Sequence, residues 1–331
     1  METVYEIYHT LISEYSVLSI VLIVLIYIIK KEIGNFYNKI RVKSIEKSKS
    51  IIGKEQLSTK EDINVIIREL NRYFHNEVKL HQIFENIEPI IEINEVYNSD
   101  FCTAKEIEVK NQIIRQDGFD NEPHALLESY TDLGNTPIVF DAKKTYFSTI
   151  LCLRDKNIKP NIISAGAVLI DNEKKVLIVH QRSLNSATYP GYYHILGGAF
   201  LPKMNNYSTT YDTTLKYTVI REIAEETNSE IEIKNLNDVR YRTFSEELTT
   251  GFIQYEFLGA TVNIKGNGHG NWEGNLIHIP FSELEDKLIK LNWVPSGKMH
   301  ILAWLALGAP NSNYFKYNDA RKIYHSVIGK A

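Results

Sequence analysis

The stretch Arg221-Glu222-Ile223-Ala224-Glu225-Glu226-Thr227-Asn228 lies downstream of the glycine pair Gly197-Gly198 and carries three glutamates. A helix turns by about 100° per residue, so these three side chains fall in one arc and their carboxylates converge on one side. Carboxylates packed that closely repel one another unless a positive group lies against them, and hard divalent cations such as Mg²⁺ take carboxylate oxygens as ligands. The stretch therefore predicts a helix with a cation site on one face. The plainer alternative is an acidic face exposed to solvent.

Length and composition allow one large or two modest domains, because the chain has 331 residues. Its net charge of -4 gives no overall signature of nucleic-acid binding, and we expect no nucleic-acid partner. The two cysteines, Cys102 and Cys152, are 50 residues apart and neither belongs to a CxxC pair. This spacing supports neither a zinc site nor a disulfide framework, and it favours a reducing compartment.

The N-terminus carries an apolar run that predicts a membrane-spanning helix near residues 12–30. No charged residue occurs from Tyr15 to Ile29, and two lysines follow directly. Fifteen residues rise about 22 Å as a helix, short of the roughly 30 Å hydrocarbon core, so the span needs the flanking residues and snorkelling lysines. A buried core helix is the alternative. A cleaved signal peptide fits less well, because its first segment would be basic whereas this one is acidic.

The charges that flank this run predict its orientation. Basic residues follow it in number and none precedes it. They are Lys30, Lys31, Lys39, Arg41, Lys43, Lys47, Lys49, Lys54 and Lys60. Cytoplasmic flanks are enriched in Lys and Arg, so we expect the C-terminal bulk of the chain to be cytoplasmic. The basic stretch is either a lipid-contacting surface that adds to residues 12–31 or a solvated linker.

The middle of the chain has mixed patterns. Apolar spacing predicts a helix from Glu61 to Lys79 that continues through Glu92, with Pro89 as a break. This helical segment, residues 61–92, is a possible site of homo-oligomerisation, although such a face more often packs on its own domain. Ala125–Tyr130 is helix-like, and the two runs that follow, 136–141 and 146–152, read as strands or as a strand and a helix.

From Asn161 onward the pattern sharpens. Two β-rich runs, 162–170 and 176–181, are joined by a polar turn and predict a hairpin. A short run from Tyr192 leads into the glycine pair, and the acidic helix follows. Three strand-like runs come next, 230–233, 239–244 and 252–262, and two helical runs, 282–290 and 297–307, close the segment.

This order of elements, together with the glycine pair and the Arg-Glu-apolar-x-Glu-Glu spacing, resembles the Nudix hydrolases over roughly residues 160–310. The resemblance implies an α/β fold, a Nudix-type α/β/α sandwich with a mixed sheet. Here it is preceded by a single transmembrane helix and a smaller mixed N-terminal region. We divide the chain into a transmembrane segment (1–31), a basic juxtamembrane linker (32–60), a helical or mixed region (61–160), a Nudix domain (161–310) and a C-terminal helical tail (311–331).

The resemblance also implies roles for single residues. Glu222, Glu225 and Glu226 would be the catalytic carboxylates and would bind Mg²⁺ or Mn²⁺, with Gly198 as a further metal contact. Gly197 and Gly198 would let backbone approach the phosphates. Arg221 would orient the acidic helix through ion pairs.

Four departures from the family pattern stand out. Twenty-two residues separate Gly198 from Arg221, which is more than the pattern has, and we expect the extra segment between Pro202 and Tyr211 to be a mobile flap. Thr213 stands where the pattern has a glutamate, and the adjacent Asp212 is the candidate to pair with Arg221 instead. Asn228 replaces the glycine that ends the helix, a mild change because asparagine also tolerates a left-handed cap. Leu196 stands where proline often precedes the glycines.

The implied substrate is a nucleoside diphosphate-linked compound, and the segment around Arg182 is similar to divergent members that include cleavers of UDP-sugars. Arg182 is a candidate phosphate contact, and Tyr193 or Tyr192 a candidate stacking surface for a base or ribose. The alternative is that Arg182 pairs with a carboxylate and the tyrosines fill the edge of the core.

Two functions follow. The first is a membrane-anchored, metal-dependent hydrolase of the pyrophosphate bond in such a compound. The second is a membrane-tethered sensor or scaffold whose Nudix-like domain binds a nucleotide ligand without turnover. The intact acidic trio favours the hydrolase. The inserted segment, Thr213 and the anchor favour the sensor.

The N-terminal run makes one prediction that can be tested directly. We expect the protein to stay in the membrane fraction during a carbonate wash, and its C-terminal part to be protected from protease in right-side-out vesicles, because the basic residues keep it on the cytoplasmic side. Release of the protein by the wash would contradict the membrane helix.

Overall fold

The computed structural model describes residues 60–116, 120–131, 138–186, 188–205, 208, 211–266, 270–271 and 273–329. The predicted membrane helix and nearly all of the basic linker lie outside these residues, as does part of the predicted flap (206–207 and 209–210). Over the described ranges, no helix combines the length and apolarity needed to cross a bilayer.

The described chain alternates between strands and helices. The helices are α1 (Lys60–Tyr73), α2 (Ala104–Gln116), α3 (Phe147–Asp155), α4 (Leu215–Glu226), α5 (Leu284–Lys290), α6 (Pro295–Ala306) and α7 (Tyr317–Ile328). The strands are β1 (Val78–Glu85), β2 (Ile90–Val96), β3 (Pro123–Thr131), β4 (Val139–Tyr146), β5 (Ile162–Asp171), β6 (Val176–Arg182), β7 (Tyr193–His194), β8 (Leu196–Ala199), β9 (Ile231–Ile233), β10 (Tyr241–Glu247), β11 (Phe252–Ile264) and β12 (Gly274–Pro280). Single 3₁₀ turns occur at Leu236–Asp238 and Phe281–Glu283.

One mixed sheet organises these elements in the order β1-β10-β11-β5-β3-β4-β2. The pairs β5 with β11 and β2 with β4 are parallel, and the other pairs along this path are antiparallel. On its other edge β5 meets β3, then β8, then β6 along its length, and β6 continues to β7 and β12. Strands from both sides of residue 160 therefore share one sheet.

Strand β5 is the centre of the fold, and all ten of its residues are buried. A strand that is apolar on both faces needs a layer on each side. Val168 and Ile170 point into a core built with helices α1, α5, α6 and α7. Ala167 and Leu169 point into a second core built with helix α4. The two layers confirm the mixed α/β sandwich that the sequence predicts.

The segment from residue 161 forms the predicted hairpin, the later strands and the closing helices close to where the pattern places them. The predicted C-terminal helix also forms, as α7, and it belongs to the core rather than to a free tail. Tyr324 of α7 is fully buried and its hydroxyl donates to Glu69 of α1 at 2.8 Å.

Two predictions in the middle region are wrong. The helix that begins at residue 60 ends at Tyr73, and residues 78–85 form β1. A bulge between Leu80 and Gln82 shifts the side-chain alternation of this strand, so its buried residues mimic a helical spacing. The helix-like segment 125–130 is β3, which lies between two strands where an Ala-Leu-Leu run is buried on both faces.

Asn71 ties helix α1 to this bulge and makes a test of the fold. Its side-chain amide donates to the Leu80 carbonyl at 2.9 Å, and its carbonyl accepts from the Leu80 N–H at 2.7 Å. Asn71→Ala leaves two backbone groups without partners, so we expect the free energy of unfolding in urea to fall by about 1–3 kcal/mol. The matched control is Asn94→Ala, whose single hydrogen bond to Asp141 is exposed. An equal loss in both variants would contradict the role of Asn71.

Candidate active site

Helix α4 carries the acidic face and is fixed by its apolar one. The Thr214 hydroxyl caps its first turn by accepting from the Tyr217 N–H at 3.1 Å. Leu215, Val219 and Ile223 lie along the opposite side and are buried in the core beneath the sheet. Burial of this stripe holds the glutamates toward the glycine turn.

The glycine pair lies directly against two of these glutamates. A Cβ atom added at Gly198 would come within 2.3 Å of the Glu222 carboxyl carbon. Gly197 has a φ of +150° and donates its N–H to Glu226 Oε2 at 3.1 Å. The absence of a side chain at Gly198 therefore admits the Glu222 carboxylate to the turn, whereas at Gly197 it admits the backbone of Gly166 and Ala165 on β5.

Arg221 is anchored by Asp212, as the sequence predicts. Its Nε and Nη2 donate to the two Asp212 oxygens at 2.9 Å each, and Nη2 also donates to the Ala199 carbonyl at 2.8 Å. The Asp212 carboxylate is buried and additionally accepts from the Thr218 hydroxyl at 2.9 Å. Burial opposes the charge of Arg221, but its carboxylate partners outweigh this and raise its pKa.

The same aspartate closes the base of the inserted segment. The Leu201 N–H donates to Asp212 Oδ2 at 2.9 Å, and the Asp212 N–H donates to the Leu201 carbonyl at 2.7 Å. The chain thus leaves and rejoins the site at one point. This closure explains how extra residues are accommodated between the glycine turn and the acidic helix.

The end of α4 is tied to the loop before β12. Asn228 has a φ of +49°, the left-handed conformation predicted for it, and its amide donates to the Gly270 carbonyl at 3.3 Å. The Asn271 amide donates to the Glu225 carbonyl at 3.3 Å. These contacts place the loop and its Glu273 beside the acidic helix.

The environment of the carboxylates disfavours their charged forms. Burial, reinforced by the charges of Glu225 and Glu273, outweighs Arg221 and raises the pKa of Glu222 to about 7. Burial and the charges of Glu222 and Glu273 raise the pKa of Glu226 well above its usual range. Groups held in this way favour either protonation or a bound cation.

Glu273, Glu122 and His180 belong to the site but are not identified by the sequence analysis. Burial raises the pKa of Glu273, against the opposing charge of Arg182. Burial, opposed by Arg221 and reinforced by Glu225, likewise raises the pKa of Glu122 from the middle region. His180 Nδ1 lies 3.8 Å from Glu226 Oε1, and burial lowers its pKa to about 4. In the sequence, the Trp272-Glu273 dipeptide is the feature that could have drawn attention to Glu273.

The two remaining predicted contacts differ in placement. Arg182 is half-buried and its Nε donates to the Thr188 carbonyl at 3.0 Å, while its charge opposes the raised pKa of Glu226 and of Glu273. Tyr193 packs against Trp293 with 5.7 Å between ring centroids, at the edge of the core formed by the helices α1, α5, α6 and α7. None of the interactions of Tyr193 within the described chain reaches α4.

A divalent cation fits the chemistry of this cluster, although the carboxylates are not gathered around one point. Arg221 Nη1 lies 2.9 Å from Glu222 Oε1 and 3.0 Å from Glu225 Oε2, while Glu226 turns to Gly197. Accordingly, across the described ranges no three His, Cys, Asp or Glu side chains are grouped closely enough to hold a metal ion. Burial is the first cause of the raised pKa values of Glu222 and Glu226, and the positive charges of Arg221 and Arg182 offset it only in part.

No protein-family model and no curated protein matches the chain. Solved structures similar to it are Nudix hydrolases. The MutT protein of Methanosarcina mazei Go1 is 24% identical, with 43% of this chain and 89% of that chain covered and a TM-score of 0.30. The Nudix hydrolase of Alicyclobacillus acidocaldarius is 15% identical over 45% of this chain and 92% of that one, with a TM-score of 0.33.

A third solved structure is the bifunctional NMN adenylyltransferase/ADP ribose pyrophosphatase of Francisella tularensis, in complex with AMP and a Mn ion. It is 17% identical over 47% of this chain and 45% of that one, with a TM-score of 0.29. TM-scores this low carry no inference about the chemistry of this chain. That chemistry has to be argued from its own residues.

The Arg221 anchor makes a stability prediction. Asp212→Ala leaves a largely buried guanidinium without its main partner, so we expect the free energy of unfolding in urea to fall by about 3–5 kcal/mol. Asp238→Ala, at an exposed carboxylate, is the control and should change it by less than about 0.5 kcal/mol.

The double variant Asp212→Ala/Thr213→Glu separates the observed geometry from the family pattern. Position 213 is exposed, so a glutamate placed there should not restore the pairing, and we expect the loss of stability to remain. Recovery of the wild-type free energy of unfolding would show that residue 213 reaches Arg221.

Proposed function

We propose that this chain is a divalent-metal-dependent hydrolase of the Nudix type that cleaves the pyrophosphate of a nucleoside diphosphate-linked compound. One observation carries the proposal. Two carboxylates with raised pKa values, the half-buried Glu222 and the buried Glu226, lie against a glycine turn on a helix that a buried ion pair fixes in place. Such a site attracts a cation and leaves room for phosphate.

Mg²⁺ or Mn²⁺ would be held by Glu222, Glu225 and Glu226, with the backbone at Gly198 as a further contact. The cation supplies neutralisation of phosphate oxygens and makes water a better nucleophile at neutral pH. A cation at the glutamates competes with Arg221 Nη1, which already contacts two of them. Because Asp212 holds the other face of the guanidinium, Arg221 keeps its position when that contact is exchanged.

The remaining residues prepare the substrate. The glycine turn lets a phosphate approach the backbone without obstruction by a side chain. Arg182 adds positive charge beside the acidic cluster, where a diphosphate would otherwise be repelled. Burial raises the pKa of Glu226 and of Glu273, which favours the protonated form of each carboxyl group and makes them candidates for proton transfer.

A second candidate function is a membrane-tethered sensor that binds the same class of ligand with little or no turnover. The placement of Arg221 Nη1 between Glu222 and Glu225 favours it, because an internal cation already satisfies two of the three carboxylates. Membrane attachment, through residues 12–31 and the basic linker, rests on the sequence alone in both proposals.

A measurement of turnover distinguishes the hydrolase from the sensor. The full-length protein is incubated with nucleotide-sugars, ADP-ribose, dinucleotide cofactors and nucleoside triphosphates in Mg²⁺ or Mn²⁺, and products and thermal shifts are measured together. Metal-dependent products support the hydrolase. A thermal shift without products supports the sensor.

Glu226→Gln tests the site itself. Removal of this charge deletes a cation ligand and relieves repulsion in the metal-free protein. We expect turnover of the best substrate to fall by at least about 100-fold, while the metal-free melting temperature stays equal or rises. Glu92→Gln, at an exposed position on the edge strand β2, is the control. Unchanged turnover in Glu226→Gln would exclude this cluster as the catalytic centre.

A further inference from the structure

A second polar cluster lies on the face of the sheet opposite helix α4. It consists of Arg154 on α3, Tyr189, Glu247 at the end of β10, Gln254 on β11 and Ser296 on α6. The register pairs Glu247 with Phe252 and Ser245 with Gln254, so these side chains alternate with Ile253 and Tyr255, which enter the core beneath α4.

Glu247 is the centre of this cluster, and its hydrogen bonding is incomplete. The residue is only 3% exposed, and among the described residues its Oε1 atom has no hydrogen-bond partner. The Ser296 hydroxyl lies 3.5 Å from Oε2, and the hydroxyls of Tyr189 and Thr250 also face the carboxylate. Burial raises the pKa of Glu247, while these hydroxyls and Arg182 oppose the shift. A buried oxygen without a donor costs about 1–3 kcal/mol, so the arrangement needs an explanation.

Arg154 is the complementary group. It lies over the Phe252 ring at 5.7 Å, and its buried Nη2 atom has no hydrogen-bond partner within the part of the chain that the structure describes. Burial lowers the pKa of Arg154, and the charge of Glu247 opposes this. An acceptor and a donor that both lack partners therefore lie near each other in one cluster.

The surroundings are polar, neutral and held in place. His300 Nδ1 is 2.9 Å from the Thr243 hydroxyl, and the Ser296 hydroxyl is 3.3 Å from both the Gln254 amide and His194 Nε2. Burial lowers the pKa of His194 and of His300 to about 3, so both rings are neutral. A ligand would meet fixed hydrogen-bonding groups there.

Strands β6 and β7 connect this cluster to the candidate active site. His180 Nδ1 lies 3.8 Å from Glu226 Oε1, and His180 pairs in register with His194, whose Nε2 atom is 3.3 Å from the Ser296 hydroxyl. Arg182 follows on β6, and its charge lowers the pKa of Glu247 and that of Glu226 against burial. The same charge also lowers the pKa values of His194 and His180, for which burial is the larger cause. A compound whose diphosphate lies at Arg182 and the acidic helix would therefore extend toward Glu247.

We propose that this cluster binds the nucleoside of the substrate, with Glu247 accepting two adjacent hydrogen-bond donors and Arg154 donating to an acceptor beside them. The inference rests on the proposed function for its substrate class. It adds that the region before residue 160, through Arg154, contributes to specificity.

Two parts of a nucleoside present this chemistry. The vicinal hydroxyls of ribose donate two adjacent hydrogen bonds to a carboxylate and accept from a guanidinium. The edge of guanine offers its N1–H and N2 amine to a carboxylate, beside the O6 acceptor. Both sources satisfy the unpartnered atoms Glu247 Oε1 and Arg154 Nη2.

The test measures binding without hydrolysis, because nucleoside monophosphates have no pyrophosphate bond. Affinities of the full-length protein in Mg²⁺ are measured by calorimetry for GMP against IMP, which lacks the N2 amine, and for AMP against 2′,3′-dideoxy-AMP, which lacks both hydroxyls. We expect a preference of about 10-fold or more within at least one pair, the scale of a hydrogen bond to a charged group. The pair that shows it identifies the source.

Glu247→Gln should reduce that preference to about 1, because an amide cannot accept two donors in the same way. The matched control is Glu246→Gln, one residue earlier on the opposite face of β10 and beside His81, which should keep the wild-type preference. Arg154→Gln, at a partly exposed position, should weaken binding of all four ligands by about 10-fold. It provides the test if Glu247→Gln does not fold.

The proposal is overturned by equal affinities within both pairs, by a preference that survives Glu247→Gln, by unchanged affinity in Arg154→Gln, or by no binding at about 1 mM. These outcomes are separate from failure of the proposed function. Glu247-dependent preference without metal-dependent turnover sustains the nucleoside site and rejects the hydrolase. Turnover that depends on Glu226, without a Glu247-dependent preference, sustains the hydrolase and rejects the nucleoside site.

Discussion

The buried ion pair between Arg221 and Asp212 is the constraint on which the geometry of the acidic helix depends. Two parallel hydrogen bonds at 2.9 Å fix the guanidinium, and the same aspartate accepts from Leu201 N–H. One carboxylate therefore orients the helix and closes the inserted segment. A buried pair of this kind contributes little net stability compared with apolar packing, but it specifies one arrangement and is costly to break.

The fixed helix holds carboxylates whose negative charge is only partly compensated. Packing of the apolar stripe of α4 and of the glycine turn removes much of the solvent from Glu222 and Glu226, and this burial raises the pKa of each. Arg221 relieves this only for Glu222 and Glu225, because Glu226 is occupied by the Gly197 N–H. Beside the glycine turn, the fold thus retains carboxylates whose charge its own residues compensate only in part.

Sequence reasoning identified the parts of the site that are close together in the chain. The three glutamates follow from helical periodicity, the Asp212 pairing from one-residue adjacency to the expected position, and the left-handed Asn228 from backbone preference. It could not identify Glu247, Arg154 or Glu273, because strand pairing and loop contacts join them across long separations. The helix assigned beyond Tyr73 failed for a related reason, since the bulge at Leu80 that alters the alternation depends on pairing with β10.

The two clusters differ in charge because the two faces of the sheet are covered differently. Helix α4 lies on one face and brings carboxylates to the glycine turn. On the other face α3 and α6 bring Arg154, Ser296 and neutral histidines to polar strand positions. Strand β8 carries no side chains at Gly197 and Gly198. The charge of Arg182 acts on a carboxylate of each cluster, Glu226 and Glu247. A ligand with a diphosphate at one end and a neutral, hydrogen-bonding group at the other matches this polarity, whereas a uniformly charged ligand would satisfy one cluster only.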